Sequence, residues 1–253
     1  MFRETFLSAG IAGLVAALIL TLLQAIWITP LILHAETYED DAATAPVEPA
    51  HQHGDAAAHD HDRSGTRDSD EYHHEHHHDT SEWKPSDGAQ RLLFTVASNI
   101  AMGVGYALLL IGVYIFWQRP QNTVQGLLFG LAGFAVFFAA PGLGLPPELP
   151  GTEAAELTAR QQWWLGTATA TAIGLALIFV QKNWIVRALG VAILIAPHMI
   201  GAPHLVTATS LAPAELQNHF LLATTICNAI FWLLLGAVSA FALQKLSSPT
   251  PAS

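Results

Sequence analysis

Charge is what this chain has least of. Asp, Glu, Lys and Arg make up 12% of its residues against 52% that are hydrophobic, about half the ~25% charged share of soluble domains. Too little polar surface remains to cover a water-soluble globule, so the composition reads as that of a membrane protein. Cysteine is nearly absent too. Cys227 stands alone inside an apolar run, and the chain by itself builds neither a disulfide framework nor a thiolate zinc site. The sequence has no G-x-x-x-x-G-K-S/T phosphate loop, no paired-cysteine motif and no H-E-x-x-H helix. These absences exclude a nucleotide-driven motor and a zinc protease; no enzymatic activity and no nucleic-acid partner are expected. No internal repeat marks the chain as an inverted-repeat transporter.

Long apolar runs, by contrast, are plentiful. Six stretches approach the ~20 residues with which an α-helix crosses the hydrocarbon core: Phe6–Thr29, Leu92–Trp117, Val124–Ala140, Trp164–Val180, Ile185–Ile200 and Phe220–Leu243. The expected fold class is all-α, a polytopic transmembrane helix bundle of six spans. Five remain an alternative, because the fifth stretch is short and ends at Pro197. The first run is too long for a signal-peptide core and is followed by no small-x-small cleavage site, so it is expected to be a retained helix. Trp27 suits an interfacial anchor, and Pro30 marks where that helix is expected to end. The organisation read from the sequence is a first helix over residues 1–33, a long loop over 34–90, the remaining bundle over 91–246 and a short tail over 247–253.

Short-loop cations set the orientation, since Lys and Arg are retained on the cytoplasmic side. With the N-terminus inside, Arg3, Arg119, Lys182, Arg187 and Lys245 all fall there, and only Arg160 lies in a short outer connection. The expected location is the bacterial cytoplasmic (inner) membrane, multi-pass, with the lipid bilayer as first partner. Residues 30–91, 141–163 and 201–219 then lie outside. The run Pro141-Gly-Leu-Gly-Leu-Pro-Pro-Glu-Leu-Pro-Gly151 is apolar yet rich in helix breakers and is expected to form an ordered cap. Small residues at Gly126/Gly130, Gly166/Ala170 and Gly10/Leu14 are expected to line helix contacts, and Gln24, Asn99 and Asn228 to hydrogen-bond between helices, with Ser98, Met102, Thr167 and Thr171 as lesser candidates. No Asp, Glu, Lys or Arg occupies the centre of a span, so no carboxylate relay is evident.

Acidity and histidine are concentrated together. Between Ala35 and Glu82 lie 14 of the 20 acidic residues, with only Arg63 and Arg67 as basic ones. Ten of the 13 histidines fall between His34 and His78, among them His51, His53, His59 and His61, then His73, His74, His76, His77 and His78, interleaved with carboxylates. Low hydrophobicity with high net charge predicts a disordered segment. Neutral imidazole ligates first-row divalent metals, and neighbouring carboxylates add attraction and oxygen donors, so weak multi-site binding of a divalent metal ion is the expected chemistry. Spacing does not choose among cobalt, nickel, zinc and copper. Protonation releases histidine-bound metal, so capture is expected to weaken below pH ~6.5. The other histidines, His198, His204 and His219, fall at the outer membrane level together with His34 and Glu36. Each alone reads as an interfacial side chain; together they form a candidate ordered metal site at the mouth of the bundle.

Several segments carry a family resemblance: Phe2-Arg-Glu-Thr-Phe-Leu-Ser-Ala-Gly-Ile-Ala-Gly-Leu14, Trp27-Ile-Thr-Pro-Leu-Ile-Leu-His-Ala-Glu-Thr-Tyr-Glu39, the Pro141–Gly151 run, Gln162-Trp-Trp164, and Ala196-Pro-His-Met-Ile-Gly-Ala-Pro-His204. In these the chain resembles the CbtA family of cobalt transporters, over nearly its whole length outside the His-rich segment. The resemblance implies cobalt uptake for cobalamin synthesis beside a small, single-span, histidine-bearing subunit, CbtB, with cobalt as weakly bound cargo and no tightly bound cofactor. It supplies no transport residues. The competing expectation is a non-transporting metal-binding accessory protein, a buffer or a sensor. A haem oxidoreductase is a third class, but His198 and His219 lack a second matching pair.

Overall fold

A computed structural model of the chain describes residues 2–44, 85–86, 88–117, 122–205 and 209–247. The described residues contain six helices: α1 (Phe2–Thr44), α2 (Ala89–Phe116), α3 (Thr123–Gly144), α4 (Leu157–Val180), α5 (Trp184–Ile200) and α6 (Ala214–Ser247). All but α5 are long and apolar enough to cross a membrane. The 17 residues of α5 measure about 26 Å. Even so, α5 runs between the same two ends as its neighbours, because Trp184 follows Val180 across a short turn while Ala202, just past its other end, reaches Gly144 at the end of α3. One end of the bundle, here the proximal end, holds the start of α1, the end of α2, the start of α3, the α4–α5 turn and the end of α6. The distal end holds Thr44, the α3–α4 and α5–α6 connections and the start of α2.

Antiparallel pairs, each closed at glycine, build the bundle. A Cβ on Gly13 of α1 would lie 2.5 Å from the Val104 backbone nitrogen of α2, and one on Gly103 would lie 2.7 Å from the Gly13 carbonyl oxygen. Gly126 and Gly130 of α3 meet Gly236 and the Trp232 backbone of α6 just as closely. Gly174 of α4 and Gly190 of α5 each would carry a Cβ 2.8 Å from the other's carbonyl. Such approach gives dispersion contact where lipid supplies no hydrophobic drive. Gly126 and Gly130 were expected in this role. Gly10 and Gly166 were too, but each faces open space; the contacting stripe lies three residues along at Gly13 and two turns along at Gly174. α1 also packs on α6, and Leu20, Ile111, Tyr114, Phe231 and Leu235 of α1, α2 and α6 are at most 1% exposed in the shared core.

Prolines do not end the helices as the sequence predicts. α1 runs through Pro30 to Thr44, so residues 34–44 are helix where a loop was expected, and α3 runs through Pro141 to Gly144. A π-helical turn precedes each proline by the same offset: Gln24–Ile28 before Pro30, and Ala135–Ala139 before Pro141. Proline withholds a donor from the carbonyl four residues back and crowds it. That carbonyl belongs to Ile26 in α1 and to Phe137 in α3, inside the wide turns, where bonding shifts to i→i+5: Thr29 N–H donates to Gln24 O, and Ala140 N–H to Ala135 O. The π turn therefore absorbs the proline and lets the helix continue. It also sets Phe137 stacked on Trp232, with ring centroids 5.4 Å apart, and Tyr106 4.7 Å from Trp232, joining α2, α3 and α6.

Candidate cation site at the distal end

Helix polarity places every described site candidate at the distal end, and the connections there are stitched together. Gln217 of α6 accepts from the Leu149 amide at 3.1 Å and donates to the Pro147 carbonyl at 2.7 Å. Leu211 N–H donates to Gly151 O, and Glu153 N–H to Thr209 O; Gly151 adopts a φ of 75° at this corner. The later part of the Pro141–Gly151 run is thus an ordered cap, as its composition predicted, while Pro141–Gly144 continues α3 instead. Beside it, a cleft of about 490 Å³ opens between the end of α3 and the start of α4, walled by Phe137, Phe138, Pro141 and Trp164, with Glu148 and Arg160 at its polar edge. At the start of α4, Glu156 caps the helix by accepting from the Thr158 and Ala159 amides. The Thr158 side chain first, and then those amides, hold its carboxyl below the usual range.

Charge divides sharply between the two ends. Among the described residues the distal end carries Glu36, Glu39, Asp40, Asp41, Glu148, Glu153, Glu156 and Glu215 against two arginines. Both arginines are paired: Arg91 with Glu36 at 2.7 Å, and Arg160 with Glu148 at 3.2 Å. The proximal end carries Arg3, Lys182, Arg187 and Lys245 against Glu4. A surplus of carboxylates around the distal mouth raises the local concentration of cations.

The sequence-derived ligands do not converge. Among the described residues no group of three or more His, Cys, Asp or Glu side chains is arranged to hold a metal ion. His34 is exposed beside Tyr38, its ring centroid 5.5 Å away. Glu36 faces α2, where the Arg91 guanidinium takes both carboxylate oxygens. His204 and His219 are exposed. Among the described histidines, only His198 turns its imidazole inward: its Nε2 is buried without a hydrogen-bond partner, and its ring lies edge-to-face on Trp163 at 6.1 Å. His51, His53, His59, His61, His73, His74, His76, His77 and His78, and the expectation of disorder for their segment, lie outside the described residues.

Deeper in the bundle, Gln24 and Asn99 bond between helices as the sequence predicts, whereas Thr171 donates within its own helix and Thr167 Oγ1 has no partner. Asn99 Nδ2 donates to Thr21 Oγ1 at 2.9 Å and to Gln24 Oε1 at 2.6 Å, tying α2 to α1 at the π turn. Asn228 differs, donating to Thr224 O within its own helix. Trp163 was not singled out as a site residue; its only sequence signal was its place in the Gln162-Trp-Trp164 segment.

Comparison with curated proteins and with solved structures gives no match. A family model described as probable cobalt transporter subunit (CbtA) matches residues 2–244, nearly the whole chain. The polytopic bundle, its acidic distal mouth and this match converge: the chain belongs to the CbtA family.

Proposed function

We propose that the chain is the membrane subunit of a cobalt uptake system. Its N-terminus lies in the cytoplasm of a bacterial cell, its distal end faces outward, and its acidic, histidine-rich segment concentrates divalent cations at that outer face. The family match over residues 2–244 carries this reading. Charge segregation supports the orientation, since four of the six described Lys and Arg residues, Arg3, Lys182, Arg187 and Lys245, gather at the proximal end. Loose sites in the segment raise cation concentration without trapping the ion, as passage requires release. The inward imidazole of His198 receives the ion from that pool, and a small, single-span, histidine-bearing subunit completes the system in the bilayer.

Cellular cobalt, nickel and zinc are measured in cells with and without the chain, each with and without the single-span subunit. The expected result is a selective gain of cobalt in cells that carry the chain. Equal cobalt in all backgrounds, with purified protein still binding the metal, would instead establish the accessory buffer.

A further inference from the structure

Three buried polar atoms without partners lie on the distal half of the α4–α5 hairpin: Trp163 Nε1, Thr167 Oγ1 and His198 Nε2. The Trp163 and His198 rings touch at 74°. Thr167 is 0% exposed and lies four residues after Trp163, on the same face of α4. Polar groups buried in this way are costly unless something satisfies them in another state of the protein. On the other side of the junction, Pro197 offers no N–H, so the Ile193 carbonyl lacks its usual donor. No π turn absorbs this proline.

The hairpin is also the part of the bundle held least tightly. α5 packs chiefly on α4, most closely where Gly174 meets Gly190, and its outer residues Val191, Ile195 and Met199 are exposed. Few contacts and a proline near the distal end are the marks of a segment that opens at low cost. The Trp163 indole closes the junction by lying directly on Gly144, where any Cβ would collide with the ring, and a Cβ on Gly144 would stand 2.9 Å from that of Ala202.

We propose that this junction is an occluded divalent-cation site, in which His198 Nε2 is the ligand, Thr167 Oγ1 holds the ion's retained water, and Trp163 is the plug. The cation's identity as cobalt rests on the uptake reading above. Imidazole with its proton on Nδ1 presents a lone pair at Nε2, and a hydroxyl both accepts and donates, whereas the indole N–H only donates. Trp163 therefore acts by position and cannot ligate the ion. When the indole leaves Gly144, the orphaned atoms meet a partly hydrated ion; when it returns, they are sealed. A site with one nitrogen ligand and water-mediated contacts releases its ion readily, as a transit site must.

The test uses the full chain with Cys227→Ala and a reporter thiol, Thr171→Cys, one turn below Thr167. Thr171 is 2% exposed. A membrane-impermeant thiol reagent is added from the distal side of proteoliposomes. Trp163→Ala is expected to speed labelling about tenfold, a one-decade shift in a closed–open equilibrium. Gly144→Ala, which keeps the indole but unseats it, is expected to do the same. Cobalt(II) chloride is expected to slow the fast reaction, and His198→Gln to abolish that protection. Labelling unchanged by both Trp163→Ala and Gly144→Ala, or protection that survives His198→Gln, overturns the proposal. Protection by nickel or zinc but not cobalt upholds the site and plug while overturning the cobalt reading.

Discussion

Asn99 shows what a single polar side chain does in an apolar bundle. One amide donor reaches two acceptors on α1, and the reference state in lipid offers poorer alternatives, so such bonds are worth about 0.6 kcal/mol on average and up to about 1.7. Asn99→Ala is expected to lower stability by about 1–1.7 kcal/mol, read from denaturant-induced unfolding in mixed micelles. Gln24→Ala should cost less, because Thr21 still accepts from Asn99. This contact was legible because an amide in a hydrophobic run must find a partner, and few are available at its depth. Glu36 was misplaced for the opposite reason. Its neighbour in sequence is His34, but its partner is Arg91, 55 residues away, and no local pattern announces that distance. With side chains 28% and 35% exposed, the pair is partly screened. A double-mutant cycle of Glu36→Gln and Arg91→Gln is expected to give a coupling of about 0.5–1 kcal/mol. A structural pair should also show restored cobalt uptake in the double variant relative to Arg91→Gln alone.

At the scale of the element, glycines decide which helices are neighbours. Gly236→Val would drive a side chain into the Gly126 carbonyl and the Gly130 backbone; overpacking of this kind costs about 1–3 kcal/mol. Gly10→Val and Gly166→Val meet nothing within 4 Å and should leave the melting temperature in detergent within about 1 °C, well inside a sub-kcal effect. A melting loss shared by all three variants would show that glycine acts through helix propensity and not through contact. Sequence spacing exposed small-residue stripes but not which stripe meets a partner, since a three-residue step along a helix turns the face by only about 60° and lipid leaves the hydrophobic pattern nearly uniform around it. Helix ends were hidden for a related reason. Pro30 and Pro141 ordinarily stop a helix, but a π turn has no sequence signature strong enough to show that the stop has been cancelled.

For the molecule as a whole, the division of charge was the most legible feature, because topology is written in the few cations of short connections. What stayed hidden was the junction of Trp163, Thr167 and His198, which depends on two helices and a glycine that lie far apart in sequence. Replacement of residues 45–84 by a short Gly/Ser linker is expected to leave unfolding unchanged and to preserve cobalt uptake at high metal concentration, with loss confined to scarce metal. Loss of uptake at every concentration would place the transport pathway in the segment itself. The Glu36–Arg91 pair gives the replacement its physical basis. It clasps the two helices from which the segment departs and to which it returns, so the ends of that stretch are held close by the bundle. Chain-closure entropy grows only with the logarithm of length, by about 0.6 kcal/mol per doubling. Residues 45–84 can therefore change in length and composition at almost no thermodynamic consequence for the helices on either side of them.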